Sequence, residues 1–301
     1  MWLPRFACPQ CRVPAVEDDA SVLSCSRCGH RFLRRGGIYR CLTTARSDEA
    51  ERFLCQYRAV REKDGYREAS PDYYRMLPVV SRDDPRAAEW RVRRETYAHF
   101  QRWALPGVWQ GPVQALDLGA GSGWLSHRLA SFGHRTVAVD RLDDEADGLG
   151  ACRHYPVSFA VVQADFDALP FVEGQFDVVV LNGSLHYSPN PSATLREAKR
   201  MLAPGGTMAV MDSPMFWRAR DGESMVEAQL RAFGSTYGVA DVVRAGVGFL
   251  TFETLATAAS ALGLRGRFVP SRGPMGWRIR RQMARYRMGR APAAFGVWVA
   301  Q

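Results

Sequence analysis

The sequence predicts an α/β protein built on a mostly parallel, doubly wound sheet, preceded by a small cysteine-rich unit. From residue 112 onward, short apolar segments alternate with glycine turns and amphipathic segments, the rhythm of strand, turn and helix in a parallel sheet. Paired cysteines fall within residues 1–45, and charged and aromatic residues recur at helical spacing within 46–110. We therefore expect a small unit over 1–45, a helical connector or lid over 46–110, and the main domain over 111–301.

Each predicted element follows from its local pattern. The apolar segment Val113–Leu118 runs into a glycine-rich turn, and Phe176–Leu181 is apolar enough to be a strand buried on both faces. A helix over Ala193–Leu202 should end before Pro-Gly-Gly at 204–206. The remaining predictions are helices over Asp48–Arg61, Asp84–Leu105, Trp124–Phe132 and Thr251–Leu262, strands over Thr136–Val139, Val157–Gln163, Thr207–Met211, Arg267–Pro270 and Phe295–Ala300, and two hairpins within 1–45.

The charge balance is basic, with 40 Lys and Arg against 31 Asp and Glu, a net charge of +9. This leaves nucleic acid, an anionic membrane surface and an acidic substrate open as partners. Lysine occurs only at positions 63 and 199, and an arginine bias can also reflect a GC-rich genome, so the charge carries little weight. The absence of a long apolar run or leader pattern predicts no membrane span and a cytoplasmic location.

Four of the seven cysteines form two C-x-x-C pairs, Cys8 with Cys11 and Cys25 with Cys28. Two such turns facing each other make the tetrahedral sulfur site that zinc favours. A redox pair and unmetallated thiols are the alternatives, and His30 could replace a ligand, although Cys28 fits the pattern better. We expect a structural Zn²⁺, because four cysteines leave no open position and so small a unit needs a staple.

A glycine-rich turn at residues 117–123 reads Asp-Leu-Gly-Ala-Gly-Ser-Gly, between an apolar strand and a helix. Its glycines let the backbone approach a ligand closely, and the helix N-terminus offers free N–H groups. A dinucleotide fingerprint would place its third glycine at position 124, which is Trp124. The turn alone is a weak signal.

Together with four later motifs, this turn resembles that of the class I S-adenosylmethionine (SAM)-dependent methyltransferases. The later motifs are Asp140 at the end of the second strand, Ala164–Phe166, Phe176–Asn182 and Leu202–Thr207. The resemblance implies a Rossmann-like, seven-stranded sheet, with the turn around the methionine of SAM and the next two motifs at its ribose and adenine; another nucleotide on the same fold is the alternative. The cofactor-binding residues it implies are Asp117, Gly119, Ala120, Gly121, Ser122, Gly123, Asp140, Arg141, Asp165, Phe166 and Asn182.

The segment after the fourth strand, Asn182–Tyr187, departs from the N-P-P-Y-type motif of amino-group base methyltransferases. It is similar to that of the type 11 group, which includes ubiquinone and menaquinone biosynthesis enzymes. The resemblance favours a small-molecule or lipid-like acceptor. His186 could act as a general base, or could be a packed histidine.

Two alternatives remain open. The domain order resembles the bacterial rRNA guanine-N1 methyltransferases, whose fourth zinc ligand is typically a histidine, and Gly36–Arg40 resembles zinc-ribbon activators of tRNA methyltransferases. An RNA base is therefore an alternative acceptor. Nine arginines within 265–290, interleaved with Trp277 and Tyr286, suit RNA or anionic lipid headgroups, or form a solvated face. The other alternative is a catalytically inactive, SAM-binding adaptor.

Two further segments are candidates for the rim of the site. Tyr73 and Tyr74 could close over SAM, and Arg91 or Arg94 could pair with its carboxylate, unless this region is an ordinary connector. The insertion Ser213–Tyr237, with Met215, Phe216 and Trp217, forms either a substrate wall or core.

Overall fold

The computed structural model describes residues 2–19, 21–43, 51, 53–58, 60, 70–105, 111–237, 246–273 and 275–301. The helix expected over Asp48–Arg61 is helical at 53–58, and part of it lies outside the described residues. The strands are β1 (Ala15–Asp19), β2 (Val22–Cys25), β3 (Arg31–Arg35), β4 (Ile38–Arg40), β5 (Gln114–Leu118), β6 (Arg135–Asp140), β7 (Ala160–Gln163), β8 (Phe176–Asn182), β9 (Leu202–Met211), β10 (Met215–Phe216), β11 (Leu250–Thr251), β12 (Gly266–Pro270) and β13 (Gly296–Ala300). The helices are α1 (Pro71–Met76), α2 (Ala87–Trp103), α3 (Trp124–Ser131), α4 (Pro191–Met201), α5 (Ala219–Tyr237), α6 (Phe252–Ala261) and α7 (Met275–Met288).

The predicted Rossmann-like sheet is confirmed. Strands β7-β6-β5-β8-β9-β13-β12 lie side by side in that order, and only β13 runs against its neighbours. Among these seven strands, β5 comes first along the chain. The next two, β6 and β7, lie on one side of it, and β8 to β13 of this sheet lie on the other side. Such a reversal of strand order opens a crevice beyond the carboxyl ends of β5 and β8, where ligands bind in doubly wound sheets.

The N-terminal strands do not stand apart from this sheet. The antiparallel strands β1 to β4 continue it, because β4 pairs in parallel with β7 through Ile38 opposite Val161 and Arg40 opposite Gln163. The whole is one eleven-stranded sheet. Phe6 packs on Phe171 of the main domain, with ring centroids 5.6 Å apart. The division at residue 45 stays a prediction, and the two parts on either side of it share one core.

The strand predicted to start at Thr207 starts five residues earlier, at Leu202. Helix α4 begins after Asn190, whose side chain accepts the Ala193 N–H, but Pro204-Gly205-Gly206 is not a loop between helix and strand. Strand β9 begins at Leu202 and includes these residues. Its pairing with β8 shifts register in this stretch, so the proline and glycines are accommodated in an irregular strand start.

Candidate functional site

The glycine turn between β5 and α3 lies at the carboxyl end of the sheet and is held against β6. The N–H groups of Gly119 and Ala120 both donate to the carbonyl of Val139, at 2.8 and 3.0 Å. Gly119, Gly121 and Gly123 have φ angles of 72°, 53° and 75°, in the left-handed region that side chains avoid. A Cβ on Gly119 would lie 2.2 Å from the Cβ of Ser184, so a glycine is required there.

Asp140 closes the turn from the end of β6. One of its carboxylate oxygens accepts the Gly121 N–H and the other accepts the Leu142 N–H, each at 2.8 Å. Burial raises its pKa, although these two backbone donors favour the charged form. A carboxylate can accept about four hydrogen bonds. Lone pairs therefore remain on Asp140 for hydroxyl groups of a ligand.

Arg141 and Phe166 form the next part of the wall. The Arg141 guanidinium lies 5.7 Å from the centroid of the Phe166 ring and pairs with the Asp165 carboxylate. Asp165 also accepts the Asp167 N–H and is almost fully buried. Its carboxylate thus holds Arg141 in place, below the surface that a ligand would touch.

These elements border a cavity of about 670 Å³ at the carboxyl end of the sheet. The predicted cofactor-binding residues that line it are Gly119, Ala120, Gly121, Ser122, Asp140, Arg141, Phe166 and Asn182. Asp117, Gly123 and Asp165 lie behind this lining. Asp117 is fully buried with a pKa raised by burial to about 7, and it accepts a hydrogen bond from Ser126 at 2.8 Å. A Cβ on Gly123 would lie 2.6 Å from the Cys152 sulfur.

The connector forms the roof of the cavity and contributes Tyr73 and Tyr74, the two residues proposed for the rim of the site. Both line it; the Tyr74 hydroxyl donates to the Ala146 carbonyl at 2.9 Å, and Tyr73 accepts from Arg86 at 3.0 Å. The prediction for Arg91 and Arg94 is wrong, since both lie on the exposed side of α2.

Two other arginines line the cavity instead, Arg86 directly before α2 and Arg93 within it. Glu89 and Trp90, which lie on the same face of the helix as Arg93, line it as well. Arg93 pairs with Glu89 at 2.6 Å and lies over Trp90. The helical spacing predicts that a helix forms here, but the rotation of this helix about its axis depends on packing against the sheet.

His186 lies in the cavity wall just beyond the end of β8. Its Nδ1 is 3.1 Å from the Ser213 hydroxyl, and its ring packs on Tyr187 with centroids 4.3 Å apart. Burial, and then the charge of Arg93, lowers its pKa to about 4. His186 is therefore neutral at pH 7.

Asp212 is a residue of the cavity wall that belongs to none of the predicted motifs. It follows β9 directly and has a φ of 53°. Both carboxylate oxygens are buried, and neither has a hydrogen-bond partner among the described residues. Burial raises its pKa to about 6, although Arg93 and the Thr96 hydroxyl favour the charged form. The Thr96 hydroxyl is itself engaged with Val92 and Ser271.

A carboxylate that is buried without a donor is costly unless a ligand supplies one. Asp212 lies beside Gly183, because Asn182 at the end of β8 is paired with Met211 at the end of β9. The only sequence signal for it was an acidic residue directly after the fifth parallel strand.

Aromatic side chains complete this end of the cavity. Phe53 and Tyr57 from the connector lie 6.2 and 5.9 Å from the Tyr187 ring, and all three line the cavity. The insertion after β9 contributes Pro214. Met215 and Phe216 are instead buried in β10, and Trp217 is exposed and packs on Phe252, so these three are not substrate walls.

The four cysteines predicted as metal ligands come together. The sulfur atoms of Cys8, Cys11, Cys25 and Cys28 all lie within 4.8 Å of one another, and those of Cys8 and Cys28 are 3.8 Å apart. Zn–S bonds of about 2.3 Å in a tetrahedron separate sulfur atoms by about 3.8 Å. The donor set therefore fits Zn²⁺. His30 packs on Phe32 and is outside the cluster.

Comparison with known proteins agrees with this geometry. A family model described as a methyltransferase domain matches residues 116–210. This match supports a class I SAM-dependent methyltransferase domain within the chain. The match covers the glycine turn, Asp140, all of β8 and nearly all of β9.

Curated relatives match the chain over part of their length. A malonyl-[acyl-carrier protein] O-methyltransferase of Hahella chejuensis is 28% identical over 164 residues, 52% of this chain and 52% of that protein. A sterol 4-C-methyltransferase of Caenorhabditis elegans is 33% identical over 104 residues, 33% of this chain and 31% of that protein. The chain thus spans about half or less of the length of these relatives.

Among solved structures, magnesium protoporphyrin IX methyltransferase from Synechocystis PCC 6803, with bound SAH, is similar with a TM-score of 0.49. It is 14% identical, and the match covers 76% of this chain and 92% of that one.

None of the helices that the structure describes has both the length and the apolar character that a membrane span requires.

Proposed function

We propose that this protein is a SAM-dependent methyltransferase whose acceptor is a small molecule or a lipid-like molecule. The observation that carries the proposal is one continuous cavity with two chemically different ends. One end has the three-glycine turn and Asp140, and the other has His186, Asp212 and aromatic rings. A cofactor and an acceptor can therefore meet inside a single chamber.

SAM fits the first end by the chemistry of its groups. Asp140 has free acceptor sites for the ribose hydroxyls, the turn offers close backbone approach to the methionine part, and Phe166 and Leu142 supply an apolar surface for the adenine. Arg86 or Arg93 from the roof replaces Arg91 and Arg94 as a partner for the carboxylate of SAM. When bound, SAM supplies an electrophilic methyl group on a sulfonium.

The second end orients an acceptor and takes its proton. At pH 7 His186 is neutral and Asp212 is ionised, so both are in the proton-accepting form, and Asp212, with the higher pKa, is the stronger base. The aromatic wall of Phe53, Tyr57 and Tyr187 excludes water and favours an acceptor with an apolar part. Much of the rate can come from holding the acceptor in line with the methyl group.

The cysteine cluster would hold Zn²⁺ in a closed structural site. All four positions of the tetrahedron are sulfur, so no position remains for water or substrate. The metal would stabilise the strands β1 to β4 that extend the sheet. It supplies no group to the cavity.

Transfer from SAM carrying a labelled methyl group, into a fractionated cell extract, tests the activity. We expect label in the small-molecule or lipid fraction, unaffected by RNase, and lost in the Asp140→Ala variant but retained in Asp83→Ala, an exposed carboxylate outside the cavity. Label that disappears with RNase would support the alternative acceptor, an RNA base, which the net charge of +9 leaves open. SAM binding without transfer to any fraction would support the adaptor.

A further inference from the structure

Helix α7 presents an apolar stripe to solvent. Met275, Ile279, Met283 and Tyr286 are 73%, 54%, 56% and 87% exposed. Their spacing places all four within about 80° around the helix axis. Large apolar side chains that are exposed and aligned on one face indicate an interaction surface, whereas scattered ones do not.

Arginines border the stripe on both sides. At 3.6 residues per turn, Arg278 and Arg285 lie along one edge of the stripe, and Arg280 and Arg287 along the other. All four are exposed, and α7 contains no acidic residue. The surface is thus an apolar band between two rows of fixed positive charge.

The opposite face of α7 is fixed to the wall of the cavity. The Arg281 guanidinium lies 4.1 Å from the Trp277 ring centroid and 5.2 Å from that of Phe295. Phe295 itself lines the cavity. The helix is therefore anchored through one face, which leaves the stripe directed outward.

We propose that α7 binds the surface of an anionic lipid bilayer. The four apolar side chains of the stripe insert at the boundary of the acyl chains, and the flanking arginines contact headgroup phosphates. RNA would satisfy the arginines but offers no apolar phase for methionine and isoleucine. Base stacking would use Tyr286, the one aromatic residue of the stripe. The helix lies on the membrane without crossing it, consistent with the 14 residues of α7.

Flotation of the zinc-loaded full chain with vesicles tests this surface. The vesicles are an equal mixture of phosphatidylcholine and phosphatidylglycerol, compared with phosphatidylcholine alone. One double variant, Ile279→Ser with Met283→Ser, removes apolar contact with the bilayer. Its control is Val16→Ser with Phe132→Ser, because Val16 and Phe132 lie outside α7 and are similarly exposed, at 53% and 58%. A second, Arg278→Gln with Arg285→Gln, removes charge, and its control is Arg82→Gln with Arg196→Gln, also exposed.

We expect the wild type to bind the mixed vesicles and not phosphatidylcholine alone. Affinity should fall about tenfold in the apolar variant and about 25-fold in the arginine variant, with no change in either control. SAM affinity should be the same in all of them, which separates this surface from the proposed function. Failure of the wild type to bind would overturn the proposal. Normal vesicle binding by the apolar variant would also overturn it. The proposal would fail as well if only the arginine variant lost vesicle affinity and single-stranded RNA displaced the wild type from the vesicles.

Discussion

Replacing Gly119 with alanine should damage the turn through two separable effects. The φ of 72° costs a residue with a side chain about 1–2 kcal/mol. The added Cβ would lie 2.2 Å from the Ser184 Cβ, and such overpacking costs about 1–3 kcal/mol more. We expect Gly119→Ala to lower the free energy of unfolding by about 2–5 kcal/mol. SAM affinity should fall by about tenfold or more as the backbone N–H groups move.

A control glycine and a double variant separate the two effects. Gly133 has a φ of 87° and no described atom within 4 Å of an added Cβ, so Gly133→Ala should lose only about 1–2 kcal/mol and leave SAM affinity unchanged. In a Ser184→Gly background there is no Cβ at position 184 to overlap with the new one. Gly119→Ala should then lower stability only by the cost of the positive φ. Chemical denaturation and SAM titration measure both quantities. Equal effects of Gly119→Ala and Gly133→Ala on both stability and SAM affinity would contradict a steric conflict between position 119 and Ser184.

Three further outcomes are expected. Asp212→Asn keeps a residue that tolerates positive φ. Because burial raises the Asp212 pKa from 3.8 to about 6, the charged carboxylate increasingly destabilises the wild type as pH rises between these two values. The variant should therefore be more stable than the wild type by up to about 3 kcal/mol at pH 7, no more stable below pH 4, and without transfer activity. Equal stability effects in denaturation at both pH values would contradict this. His186→Asn should lower kcat more than it raises KM if the imidazole takes a proton, and an unchanged kcat would leave it a packing residue. Metal analysis should give about one zinc per chain. The zinc should be lost in Cys28→Ser and retained in Cys55→Ser, because Cys55 is an exposed cysteine outside the cluster. A wild type that is folded and free of zinc would rule out the metal.

Features encoded in short segments were predictable from the sequence. Cys8 to Cys28 and the turn from Gly119 to Gly123 carry their geometry in residue type and spacing, since few other residues adopt those backbone angles or bind a metal in that arrangement. Strands such as β8 were predictable because they are buried on both faces and read as continuous apolar runs.

Features that depend on long-range packing were not. The pairing of β4 with β7 joins residues far apart in sequence, and nothing in Ile38–Arg40 alone specifies its partner. The rotation of α2, which selects Arg86 and Arg93 over Arg91 and Arg94, is set by contact with the sheet. Asp212 was missed for the same reason, because its chemistry arises from burial beside the end of β8.

Calorimetric titration with SAM shows whether the cavity beside the glycine turn is a SAM-binding site. We expect one SAM per chain for the zinc-loaded protein. Asp140→Ala should weaken binding by about tenfold to a hundredfold, because hydrogen bonds to a charged group contribute about 1.5–3 kcal/mol, and Asp83→Ala should bind as the wild type does. Absence of SAM binding by the wild type, or unchanged binding by Asp140→Ala, would contradict the proposed cofactor site.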